Sequence, residues 1–194
     1  MKRFLAIGFI PIFLLGCRPH SEAMDWLITF RQELINSAEV TFQTKITADY
    51  GDTFYSFSML CNYNSNGELA FTVIEPETIS DIQGTIDSNG GNLTFDNQIL
   101  TFNTLASGRI SPVSAPYIMM QALRSGYISS AGKSNEGFCA NIDDSYEDDA
   151  LNLQIHFESG VPVFGEIFWD QHRILTLQIE DFQLMQQNVN HYIE

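Results

Sequence analysis

The densest group of charged side chains in this sequence is the acidic run DDSYEDD at residues 143–149. Its carboxylates belong to Asp143, Asp144, Glu147, Asp148 and Asp149. Clustered oxygens of this kind can bind Ca²⁺, which takes roughly six to eight oxygen ligands, but the run lacks the glycine and the spacing of an EF-hand loop. The alternative, which we favour, is a solvated hairpin whose like charges repel one another.

Histidine, the usual general base, occurs at only four positions: His20, His156, His172 and His191. They fall in an N-terminal stretch, on the polar side of a strand, in a turn and in the C-terminal tail, and we assign none of them a catalytic or metal role. The sequence has no GxSxG, HExxH, P-loop or GxGxxG motif. We therefore predict a protein that is not an enzyme and needs no cofactor.

Besides Cys17, the sequence has two cysteines, Cys61 and Cys139. Each lies in a strand-like segment, where a disulfide between them and a pair of buried free thiols are equally compatible with the residues around them. No CxxC motif and no cysteine-histidine spacing is present, which argues against zinc binding and against thiol exchange.

The N-terminus has the layout of an export signal. Met1, Lys2 and Arg3 are followed by twelve uncharged residues, 4–15, which are too few to span a membrane of roughly 30 Å hydrocarbon thickness. The next residues complete the segment Leu14-Leu15-Gly16-Cys17, which resembles the lipobox of bacterial lipoproteins. This resemblance implies cleavage after residue 16, lipidation (palmitate) of Cys17 and a short tether at residues 17–21. The alternative is an ordinary secretory signal in which Cys17 is incidental.

Charge limits the partners of the mature chain. Removing residues 1–16 takes away two of the nine basic side chains and none of the 24 acidic ones, so the formal charge moves from −15 to −17. Nucleic acid and anionic headgroups bind clustered Lys and Arg, and we predict neither as a partner. The remaining length suits one domain, for which we favour a monomer.

Two segments have the periodicity of amphipathic helices. Residues 22–37 place Leu27, Phe30 and Leu34 on one stripe. Residues 114–124 have a proline in the first turn and Gly126 just past the end, as helix termini favour. We therefore predict one helix at the N-terminus of the mature chain and one in the middle.

Most of the remaining chain alternates apolar and polar residues, as half-buried antiparallel strands do. The alternating segments are 40–50, 55–63, 69–73, 138–142, 151–157, 161–169 and 174–182. Turn signals such as NSNG and NGGN separate neighbouring segments. Residues 129–137, with the sequence SSAGKSNEG, are expected to form a flexible loop.

The order of these elements, with a closing region SGVP, DQHR and IEDF between residues 159 and 182, resembles the lipoprotein-sorting proteins of the LolA and LolB type. The resemblance implies a mainly β (α+β) fold for a single domain at residues 22–194. It implies a curved antiparallel sheet or incomplete barrel of about 9–11 strands, with the N-terminal and middle helices packed on the concave face.

The resemblance also implies an apolar interior that receives an acyl chain or a lipid. The apolar candidates to line such a cavity are Phe42, Ile46, Tyr55, Phe57, Phe71, Met119, Met120, Leu153 and Ile155. The same residues would form an ordinary core if the cavity is filled. We therefore predict a lipoprotein on the extracytoplasmic face of its membrane that binds an apolar ligand; in a two-membrane cell the outer membrane is one of the two destinations that the sequence leaves open. The alternative is a structural or interaction lipoprotein of the cell envelope with a solid core.

Overall fold

A computed structural model describes residues 22–96, 98–103, 105–106, 109–134, 137–147 and 150–186. The signal segment, Cys17 and its tether lie outside these residues. The helices are α1 (Glu22–Asn36) and α2 (Ala115–Ser125), and short 3₁₀ turns occur at Glu77–Ile79 and Pro112–Ser114. The strands before α2 are β1 (Ser37–Asp49), β2 (Phe54–Asn64), β3 (Leu69–Glu75), β4 (Gln83–Asp87), β5 (Gly90–Phe95), β6 (Gln98–Phe102), β7 (Leu105–Ala106) and β8 (Arg109–Ile110). Those after α2 are β9 (Tyr127–Lys133), β10 (Phe138–Asp143), β11 (Asn152–Glu158), β12 (Val161–Trp169) and β13 (His172–Gln186).

Eleven of the strands form one open antiparallel sheet in the order β6-β5-β4-β3-β2-β1-β13-β12-β11-β10-β9. The first strand of the sheet, β1, lies at its centre, and the strands β2 to β6 follow one another outward to one edge. The chain then passes through α2 to the opposite edge at β9, and the strands β10 to β13 follow inward until β13 pairs with β1. The two short strands β7 and β8 pair only with each other. The mainly β fold predicted from the sequence is confirmed, and both helices lie within one or two residues of their predicted bounds.

Both helices pack on the same face of the sheet, which we call the helix side; the opposite face is the outer side. In β1 the residues Val40, Phe42, Ile46 and Ala48 are buried on the helix side, and the alternate residues are partly or fully exposed. This alternation follows from the two-residue period of a strand. Apolar residues of α1 meet the sheet in an aromatic cluster, where Phe30 packs edge-on against Phe157 with ring centres 5.3 Å apart.

The prediction of a flexible loop at residues 129–137 is wrong for its first half. Tyr127–Lys133 forms the edge strand β9, which pairs with β10. Serine, alanine and glycine give this strand no alternation of apolar and polar residues. An edge strand needs few apolar residues because most of its side chains face solvent. Residues 135 and 136 lie outside the described part.

Two glycines allow aromatic rings to lie directly on the sheet. Gly84 pairs with Phe71 and Gly91 pairs with Phe102 across neighbouring strands. A Cβ added at Gly84 would lie 2.6 Å from Cζ of Phe71, and one added at Gly91 would overlap the ring of Phe102. Both positions therefore require glycine: at Gly91 the facing ring occupies the space of a side chain, and at Gly84 the Asn92 carbonyl oxygen occupies it together with the ring.

Candidate functional site

The nine residues predicted to line a ligand cavity all lie on the helix side. Seven of them are buried in the core: Phe42, Ile46, Phe71, Met119, Met120, Leu153 and Ile155. Phe57 is half-buried, and Tyr55 is 48% exposed at the start of β2. The structure thus brings the set together, with most of it in tight packing and with Tyr55 and Phe57 at the margin.

Two hydroxyl groups inside this packing have no hydrogen-bond partner among the described residues: Thr44 Oγ1 in β1 and Ser114 Oγ just before α2. Both side chains are fully buried, and the turn that ends at Ser114 contacts β1. Leaving a buried hydroxyl unpaired costs about 1–3 kcal/mol, so such groups are rare in native structures. The packing therefore contains two unpaired polar atoms, one in β1 and one at the start of α2.

The C-terminal half of α2 is held on both sides. From α1, Arg31 donates from Nε to the Leu123 carbonyl at 2.7 Å and from Nη2 to the Ala122 carbonyl at 3.1 Å. On the other side, Gln121 Nε2 donates to the Tyr63 hydroxyl at 3.1 Å, and Arg124 reaches the same hydroxyl at 3.3 Å. The two arginines also place positive charge at the C-terminus of α2, where cations are favoured. Together these contacts fix α2 to α1 on one side and to β2 on the other.

The apolar surface of the helix side continues past the helices. Strand register places Leu100 opposite Leu93, and Leu93 opposite Gly84, so all three share the helix side. The helices pack on β1, β2, β9, β10 and β13, whereas Phe95 is 47% exposed and Leu100 is 55% exposed. We call the residues Tyr55, Phe57, Leu93, Phe95 and Leu100 the apolar flank. It is an exposed extension of the core surface.

A second feature lies on the outer side, where a groove of about 760 Å³ runs over β1 to β5 and β13. Its side chains are mostly threonine, asparagine and glutamine. Sequence reasoning missed this groove, because alternate polar residues in a strand are expected on any solvent-facing side. The strand register that aligns them is visible only in the folded sheet.

The acidic run gives no metal centre in the described part of the chain, which contains no group of three His, Cys, Asp or Glu able to hold a metal ion. Asp144 Oδ1 accepts the Leu151 backbone N–H at 2.8 Å, and Asp143 Oδ1 accepts from Asn152 Nδ2 at 2.8 Å. Asp148 and Asp149 lie outside the described residues, so the full calcium candidate remains a sequence-based prediction.

Cys61 and Cys139 are both free thiols. Cys61 is buried on the helix side, and Cys139 lies on the outer side with Sγ 3.9 Å from Nε2 of His156. Burial raises the pKa of the Cys61 thiol far above its usual value. Burial, together with the nearby Glu166 carboxylate, also raises the pKa of Cys139. The raised pKa of each sulfur favours the thiol over the thiolate, which is the nucleophilic form.

Of the other histidines, His172 lies at an exposed turn with Nδ1 2.7 Å from the Asp170 carbonyl oxygen. His20 and His191 lie outside the described residues. No helix in the described residues is long and apolar enough to cross a membrane.

No family model matches this sequence, and no curated protein matches it. Among solved structures, the chain is similar to an uncharacterized conserved protein from Thermus thermophilus, with 8% identity over 84% of this chain and 87% of that one and a TM-score of 0.46. It is similar to a LolA superfamily protein from Nitrosomonas europaea, with 8% identity over 84% of this chain and 94% of that one and a TM-score of 0.45.

A third similar structure is the Mycobacterium tuberculosis lipoprotein LppX, with 13% identity over 86% of this chain and 97% of that one and a TM-score of 0.37. The similar structures thus include a member of the group that the sequence resembles. At these identities and TM-scores, no residue role is transferred from them to this chain.

Proposed function

We propose that this protein is an extracytoplasmic lipoprotein that binds an acyl chain or a lipid on the helix side of its sheet. The observation that carries the proposal is the apolar flank, where Phe95 and Leu100 extend the core surface and are about half exposed. Covering the remaining surface of each would contribute about 1 kcal/mol, since full burial of such a side chain is worth roughly 1.5–3 kcal/mol.

The two unpaired hydroxyls support the same proposal. A ligand with a polar end and an apolar chain would pair with Thr44 or Ser114 and lay its chain toward the flank. Such a ligand would reach them only if α2 moves, because both groups are fully buried. The middle helix would then act as the movable cover of the site.

Lipid on Cys17 would hold the domain at its membrane through the short stretch 17–21. More than one acyl chain is needed for stable anchoring, since burial contributes about 0.8 kcal/mol per methylene. A domain held this close to one bilayer suits a receiver of lipid at that membrane. Metabolic labelling with palmitate tests the anchor: label should be lost in Cys17→Ala, and label that persists would refute the assignment of Cys17.

The ligand is tested by titrating the purified protein with a fluorescent fatty acid and by native mass spectrometry. Leu100→Glu puts a charge on the apolar flank and should weaken fatty-acid binding at least tenfold. Ile99→Glu is the matched control, since Ile99 is the preceding residue of β6, faces the outer side and is 73% exposed. The control should bind within twofold of the parent chain. Equal effects of both substitutions would refute a site on the helix side.

The second candidate is a structural or interaction lipoprotein with a solid core and no ligand. Its supporting observation is the burial of seven of the nine predicted lining residues in the packed core. A clean apo mass together with no fatty-acid binding would establish this candidate and exclude the carrier.

A further inference from the structure

Strand register aligns the outer-side groove into two rows of side chains that cross the sheet at right angles to the strands. The first row, from β5 to β13, is Asn92, Thr85, Ala70, Asn62, Thr41 and Gln183. The second row, from β5 to β1, is Thr94, Gln83, Thr72, Leu60 and Gln43. A ligand that lies across the strands would therefore meet a new side chain about every 4.8 Å, the spacing of neighbouring strands.

Nearly all of the polar groups in these rows are free to bind a ligand. Of the polar residues in these two rows, all within the described part of the chain, only Asn62 uses its side chain in a hydrogen bond, donating from Nδ2 to Glu39 Oε1. Hydroxyl and amide groups both donate and accept, so the rows offer both kinds of partner at each strand. The backbone groups beneath them are already paired in the sheet.

The groove has few charges for a strongly acidic protein. The formal charge of the chain is −15, yet neither row contains a charged residue between β5 and β1. Within the described part, Asp181 is the one acidic residue lining the groove, and Glu180 pairs with Gln43 and so continues the second row at β13. Leu60 and Ala70 lie adjacent to one another in the middle and provide an apolar patch. The surrounding negative field disfavours anions, and the rows contain no aromatic ring on which a base would stack.

We propose that this groove binds a neutral oligosaccharide chain. Such a chain carries many hydroxyls and no charge, and the C–H faces of its rings would cover Leu60 and Ala70. An extended peptide is a poorer occupant, because peptides that bind sheets pair their backbone with an open strand edge, whereas the groove lies over the paired interior of the sheet. The groove is independent of the lipid site, which occupies the opposite face.

The test is an NMR titration of the purified protein with three neutral hexasaccharides: cellohexaose, maltohexaose and chitohexaose. At least one should shift amide signals of β1 to β5 along the two rows. The test variant is Thr72→Val/Thr85→Val, which removes two hydroxyls from the groove without changing side-chain shape. Loss of two neutral hydrogen bonds should weaken binding about tenfold.

The matched control is Thr47→Val/Thr176→Val. These two half-buried threonines face each other across β1 and β13, on the same side of the sheet but outside the groove. The control should bind within twofold of the parent chain, and a negatively charged galacturonate hexamer should bind more weakly than the neutral sugars. The proposal is overturned if none of the three sugars binds at millimolar concentration, if the shifts map to the helix side, or if both variants weaken binding equally. Groove shifts caused by a neutral Ser/Thr/Gln peptide and by none of the sugars would also overturn it.

Discussion

The contact between Arg31 of α1 and the C-terminal turn of α2 allows a sharp test of what holds the middle helix on the sheet. The guanidinium donates to the Leu123 carbonyl at 2.7 Å and to the Ala122 carbonyl at 3.1 Å. Burial lowers the pKa of Arg31 from its usual value, so its charge is partly removed from water at this contact. Arg31→Met keeps most of the apolar stem and deletes both hydrogen bonds.

The expected loss in the free energy of unfolding is about 2–3 kcal/mol. A hydrogen bond from a charged donor contributes roughly 1.5–3 kcal/mol. The Ala122 carbonyl keeps a second partner, the Gly126 N–H at 2.9 Å, so only the Leu123 carbonyl loses its side-chain donor without replacement. Loss of the cation at the helix C-terminus adds about 0.3–1 kcal/mol to this loss. The variant no longer has to remove the guanidinium from water on folding, which offsets a similar amount.

Urea unfolding followed by circular dichroism measures the effect, with an unchanged dependence on urea showing that the unfolding transition itself is the same. Lys133→Met is the matched control, since Lys133 and its partner Glu22 are both exposed, with Nζ 2.5 Å from Glu22 Oε2. Exposed ion pairs contribute little to stability. Equal losses in the two variants would refute the argument that Arg31 stabilises α2 beyond a surface ion pair.

Two further predictions concern the sheet. Gly91→Ala should lower the free energy of unfolding by about 1–3 kcal/mol, because the new Cβ overlaps the Phe102 ring. The control Gly132→Ala, at an open position of β9, should change the free energy of unfolding by less than about 0.5 kcal/mol. Equal effects of the two substitutions would contradict the ring contact. Cys61 should resist iodoacetamide in the native protein at pH 9, as read by peptide mapping, and react on unfolding. Since burial raises the pKa of Cys61 above its usual value of 9.0, its contribution to stability is complete below about pH 9 and declines above it. Cys61→Ala should remove that part of the decline, and rapid native alkylation would contradict its burial.

The periodic spacing of apolar residues predicted most of the fold, because burial in the core determines which positions of a helix or strand are apolar. The three-to-four-residue spacing of Leu27, Phe30 and Leu34 and the alternation of β1 both report which side of an element is buried. β9 was not predicted because its small side chains lie at the edge of the sheet, where burial imposes no alternation of apolar and polar residues. The pairing of its backbone with β10 leaves no trace in residue type.

The two surfaces proposed to bind ligands differ in what the sequence could show. Alternation placed apolar residues such as Phe57 on one side of a strand, but their exposure depends on how far the helices reach over the sheet. The outer-side rows depend on the register of five consecutive strand pairings, and a shift of one residue in any pairing would break them. Local sequence does not contain that information.

The contact of Arg31 with α2 also decides how a ligand would reach the helix side. If the ligand enters beneath α2, weakening this contact raises the population of the open form, and about 2 kcal/mol corresponds to roughly a thirtyfold change in that population. Arg31→Met should then take up fluorescent fatty acid many times faster than the parent chain in stopped-flow measurements, although its stability is lower. If the ligand binds only on the apolar flank around Phe95 and Leu100, the uptake rate should not change, because the flank is open already. An unchanged rate combined with sensitivity to Leu100→Glu would therefore refute the opening of α2 and retain the flank as the binding surface.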